Sequence, residues 1–137
     1  MSRIISTEGP GKTRNQHRRT IAEALRRLSL KSQLDDEVKD LAALIVFCLH
    51  RIADTVEQTT DAWDKRDYYL KADRFREEWR WVEPMTDQLS AVIYDGRWNE
   101  LPDVLVLLMP HFADVTIKQM TRKPSLWKGA YEKFMQD

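Results

Sequence analysis

His50, Asp54, Glu57 and Asp61 recur at steps of four and three, so on a helix they share one narrow sector. An imidazole and three carboxylates on successive turns form a donor set for a divalent cation. That set defines one reading of the chain, as a metal-dependent hydrolase. All-α metal enzymes complete such a row with ligands from a facing helix, and the Glu-x-x-His repeat of ferritin-type sites is absent here. Glu77-Glu78 is the other acidic cluster on a long helical stretch. A solvated stripe, paired with basic residues elsewhere, accounts for the same spacing with fewer requirements.

A second constellation is basic. Lys12, Arg14, Arg18, Arg19, Arg26 and Arg27 crowd the start of the chain, and arginine-rich helices bind phosphate backbones. Residues 1–31 hold eight Lys/Arg against Glu8 and Glu23, a net charge of +6. The rest of the chain carries −6, so the whole, with 22 basic and 22 acidic residues, sums to zero. Such a division suits a nucleic-acid-associated factor, or a basic segment that lies against its own acidic body or a sister subunit. No helix-turn-helix glycine, zinc-finger spacing or RNA-binding sheet signature accompanies it. Intramolecular pairing is therefore the expectation, and nucleic acid is the alternative partner.

The third is aromatic. On a helix over residues 61–82, Tyr68, Ala72, Phe75, Trp79 and Val82 form one apolar face, and Trp63, Leu70 and Trp81 lie opposite it. Tryptophan on a second face, with Arg74 beside it, has the composition of an interface centre. Leu126, Trp127, Tyr131 and Phe134 of the chain's own tail are the competing cover.

Smaller signals carry less. GPGKT at residues 9–13 lacks the earlier glycine of a phosphate loop, since position 6 is Ser6, and only Ile4-Ile5 stands where a strand should. It reads as a turn into the first helix. His17, His50 and His111 have no partnered nucleophile, and Cys48 sits in an apolar run where its thiol should be inert. His111 and Asp114 read as a helix-end contact.

The elements that position these residues are helical. No Gly or Pro occurs from residue 12 to 83, a span rich in Ala, Leu, Arg, Glu and Lys. A first helix is expected from residue 13 or 14 to 30, with Ile21, Leu25 and Leu28 inward. Ser32 followed by Asp35 caps a second, running to about residue 59 with Leu34, Val38, Leu41, Ile45, Cys48, Ile52 and Val56 as its stripe. Thr60-Asp61 caps the third. Pro84 opens a fourth that stops at Gly96, with Met85, Leu89 and Val92 inward. Asn99 caps a short fifth through Pro102 to Met109, and one or two short helices broken at Pro124 complete the tail. Residues 104–108 and 115–117 are the only runs that could be strands.

The fold class is therefore all-α: an antiparallel bundle of three long helices, completed by two or three shorter C-terminal helices. Residues 1–12 form a flexible arm and 13–137 a single helical domain. Leu41, Ile45, Cys48, Ile52, Phe75, Trp79 and Leu89 are expected in the core. The one cysteine excludes an intrachain disulfide. The first twelve residues carry no signal-like apolar segment, and the longest apolar run, residues 41–49, falls short of the ~20 residues of a membrane span. A cytoplasmic, non-enzymatic interaction protein without cofactor is expected, self-associating or recognising a protein partner through helix faces.

Overall fold

A computed structural model of the chain describes residues 9–137, and among these every regular element is helical. The helices are α1 (Pro10–Ser29), α2 (Asp36–Lys65), α3 (Tyr69–Glu78), α4 (Val82–Asp95), α5 (Leu101–Leu108) and α6 (Ala130–Gln136). Short 3-10 turns occupy Trp98–Glu100, Met109–Phe112 and Pro124–Leu126. Of the expected N-terminal arm, residues 1–8 lie outside the described residues. From Pro10 the chain is helical, because proline suits a first helical position where its missing N–H has no partner to lose.

α2 is the central element and packs on α1, α3, α4 and α6. Its 30 residues make a rod of about 45 Å. Val38, Leu41, Ile45, Cys48 and Ile52 are buried along it, as the four-three spacing predicts, Leu49 is buried beside them and Val56 is half-buried. α1 runs antiparallel to it: Arg14 near one end of α1 reaches Thr55 and Thr59, while Arg27 near the other reaches Glu37. The cap of α2 is Asp35, whose carboxylate accepts from the Val38 N–H at 2.9 Å; Ser32 plays no such part. Leu34 consequently falls before the helix and stands exposed, so it leaves the core stripe assigned to it. Thr60 does not stop α2 near residue 59, since its hydroxyl donates back to the Val56 and Glu57 carbonyls and is satisfied inside the helix.

The expected long third helix is in fact divided between elements. α2 ends with Asp67 at φ 63, the Tyr68 N–H bonded to the Trp63 carbonyl and the Asp67 N–H to that of Asp64. This is the αL helix stop usually made by glycine, formed here by an aspartate, one of the few other residues that tolerate it. α3 is then only ten residues long, and the chain turns again at residues 79–81. Phe75 and Trp79 are half-buried for that reason, not core residues, whereas Leu89 is fully buried on α4. Pro84 lies in the first turn of α4 and Gly96 (φ 67) ends it, both as read from sequence. Asn99 caps nothing and lies within a 3-10 turn, and residues 104–108 are helical.

The chain from residue 113 to 123, an irregular strap, returns along α1. α6 docks on α2, where Asp40 accepts from the Gly129 and Tyr131 N–H groups and so caps the last helix from outside. The tail aromatics therefore cover α2 and not α3: Phe134 meets Phe47 edge-on, Tyr131 meets Trp98, and Trp127 Nε1 donates to Glu37.

Candidate functional site

The basic residues of α1 are mostly engaged by the chain itself. Arg18 ion-pairs with Asp114 at 2.6 Å and donates to the His111 carbonyl. Arg19 pairs with Glu23 at 2.8 Å and donates to the Gln119 carbonyl, and Arg26 donates to the Ile117 carbonyl. Arg27 and Lys31 both hold Glu37, at 3.0 Å each. Arg14 lies over the Phe75 ring, 4.8 Å from its centroid. Lys12 is exposed at the first turn of α1. Of the six residues read as a polyanion surface, Arg14, Arg18, Arg19, Arg26 and Arg27 thus hold intramolecular contacts.

Glu23 is the centre of this arrangement, a role that no motif around it announces. Its side chain is buried, with 1% of the residue exposed. The carboxylate accepts from the Thr121 N–H at 2.7 Å, the Thr121 hydroxyl at 2.5 Å, the Arg122 N–H at 2.8 Å and Arg19 Nε at 2.8 Å. Burial alone would raise its pKa, but these hydrogen bonds outweigh burial and bring it down to about 2. Backbone N–H groups of an irregular segment leave no residue signature, so only a buried glutamate on an apolar helix face could have signalled them.

His50, Asp54, Glu57 and Asp61 are all exposed along α2. Among the described residues no three His, Cys, Asp or Glu side chains come together to hold a metal ion. The facing ligands that such a site requires are not supplied by α1, α4 or α6. Cys48 is buried, which pushes its thiol up to about 12.

Trp63, Leu70 and Trp81 do not form one face. Trp63 belongs to α2 and meets Phe75 edge-on at 5.2 Å, because the turn at Asp67 folds α3 back onto it. With Tyr68, Tyr69 and Leu70 it lines an open hollow of about 810 Å³ at the α2–α3 corner. Trp81 lies between α3 and α4, stacked on His111 at 3.8 Å and edge-on to Phe112. Trp63, Phe75, Trp79, Trp81 and His111 are consecutive rings in one ladder, with Arg14 and Arg18 over its flank. That ladder is largely a packing device.

A second exposed apolar surface lies elsewhere. Leu101, Val104 and Leu108 of α5 are buried, yet Val106 (64% exposed) and Leu107 (53%) project on its other side. Leu25, Leu28, Leu34, Val38, Leu105, Val106 and Met109 line a groove of about 370 Å³ between the α1–α2 loop and α5. Leu34 is 52% exposed on its rim. A short helix apolar but for Asp103, half of it in water, is the arrangement expected of a docking surface. The run from Val104 to Leu108 was legible in the sequence, but its strand-like composition obscured what it does.

Comparison of the chain with known protein families, with curated proteins and with solved structures finds no match. Among the described residues no helix is long and apolar enough to cross a membrane.

Proposed function

We propose that the chain is a non-enzymatic helical interaction protein that self-associates through the groove between the α1–α2 loop and α5. The observation that carries this reading is the exposure of Val106 and Leu34 around one apolar groove, with Leu107 exposed on the same short helix as Val106. Such a surface in water is a liability unless covered. It also has both shapes a symmetric dimer needs: α5 offers a convex ridge, and the groove beside it is concave. A two-fold axis would set each ridge in the other copy's groove. Around the apolar centre, Ser29, Ser32 and Gln33 supply a polar rim of the usual kind. The intramolecular contacts of the α1 arginines favour this reading over a polyanion-binding one, and the lack, among the described residues, of facing ligands for the α2 acids favours it over a hydrolytic one.

Sedimentation velocity tests the proposal. The wild-type chain is expected as a dimer at micromolar concentration, and Leu34→Ser with Val106→Ser as a monomer with unchanged helical signal. A wild-type monomer of 16.2 kDa at all accessible concentrations would overturn it.

A further inference from the structure

We infer that the cleft between α1, α2 and α6 is a binding site for a small amphipathic anion: a carboxylate head on a short alkyl or aryl tail. The cleft lies away from the α5 groove and does not depend on self-association. Its volume is about 410 Å³, within the range of small-molecule sites. His17 of α1, His50 and Arg51 of α2, and Lys133 of α6 line it beside Leu44, Phe47 and Leu126. Cationic donors and apolar wall thus share one concavity, which suits a ligand with one charged end.

The donors have capacity to spare. Among the described residues Arg51 has no hydrogen-bond or ion-pair partner, unlike most arginines of α1. Lys133 stands over the Phe47 ring at 5.7 Å, a contact that leaves its ammonium protons available. Arg122 borders the site from the strap, its guanidinium donating to the Thr20 hydroxyl and the Gln16 carbonyl. Its nearest carboxylate, on Glu23, is 3.9 Å away and already holds four other donors. The local field is positive: burial first, then the Arg51 and Arg122 charges, lower the pKa of His17. Asp54 is the one acid on the lining, and it opposes the anion. A guanidinium presents a carboxylate with two parallel N–H donors, and Arg51 is the lining side chain that carries one. Leu126, half-exposed, and Phe47 would cover the tail.

The three histidines make the test direct. Two line the cleft, and His111 stacks on Trp81 outside it. Ring resonances of the full chain are followed by NMR while octanoate or inorganic phosphate is added to ~10 mM, above the millimolar range that a small ligand's few contacts support, and octan-1-ol is compared with octanoate at equal concentration up to the alcohol's solubility limit. Octanoate is expected to shift His17 and His50 saturably and to leave His111 in place. Arg51→Gln should weaken this about tenfold, the worth of a charge-assisted pair, and Lys133→Gln in the same direction. Asp54→Asn should tighten it. No saturable shift, an equal shift of His111, or unchanged affinity in both charge variants overturns the proposal. Equal effects of octan-1-ol would reduce the site to an apolar contact, and equal effects of phosphate would remove the tail; either result rejects the amphipathic class.

Discussion

Glu23 on α1 and Thr121 in the C-terminal strap are joined twice, by the Thr121 N–H at 2.7 Å and its hydroxyl at 2.5 Å from the same carboxylate. With the Arg122 N–H and Arg19 added, one buried side chain fixes a segment that has no regular structure of its own. The strap in turn occupies Arg19 and Arg26 through its carbonyls, so the fate of the basic helix depends on this anchor.

Acid should release it. The Glu23 pKa is depressed from 4.5 to about 2, so its contribution is complete above the ordinary value and is lost as pH falls through the folded one. The difference is worth roughly 3 kcal/mol at neutral pH. Urea midpoints measured between pH 6 and pH 2 are expected to fall, and Glu23→Gln should flatten much of that slope. An unchanged slope in the variant would show that other carboxylates govern it.

Trp81 and Leu70, paired by sequence spacing, should behave differently. Trp81→Ala removes a stack on His111, an edge contact with Phe112 and a tilted contact with Trp79, at a cost of about 2–4 kcal/mol. Leu70 is 64% exposed, so Leu70→Ser should change stability by less than about 0.5 kcal/mol. Chemical denaturation of both variants checks the contrast.

Heparin chromatography reports on the basic helix. With Arg18, Arg19, Arg26 and Arg27 held by carboxylates and carbonyls, elution is expected below about 0.15 M salt. Glu23→Ala, which frees the strap, should move elution to higher salt. Tight retention of the wild type would restore the polyanion reading.

Cys48 should resist thiol reagents in the native state. With its pKa raised to about 12 by burial, the thiolate is a minute fraction at pH 8. Labelling should therefore track unfolding, and rise to one equivalent in denaturant. Rapid native labelling would mean that the α1–α2–α6 layer opens often.

What could be read from the residues depended on whether a local type carried the information. The apolar stripe of α2, Pro84 in the first turn of α4 and the stop at Gly96 were legible because spacing and residue type dictate them. The end of α2 was not, although Asp67 and Gly96 make the same αL stop: glycine announces that conformation and aspartate only permits it. Division of charge between the two parts of the chain was visible in composition. Its resolution was not, because Arg26, Arg19 and Glu23 bond largely to backbone groups of the strap. For the same reason the apolar four-three pattern around residues 63–82 looked continuous, while the fold breaks it twice.

The cap that Asp40 places on α6 imposes an order of events. A helix of seven residues does not persist alone in water, since nucleation is too costly for so few bonds. Its N–H groups at Gly129 and Tyr131 find their acceptor about ninety residues back, on a helix that must already exist. α1 and α2, adjacent in sequence and antiparallel, can close early and quickly, whereas the strap and α6 wait for that template. During synthesis the hairpin can therefore form before residues 113–137 are added, and that segment is assembled onto it afterwards.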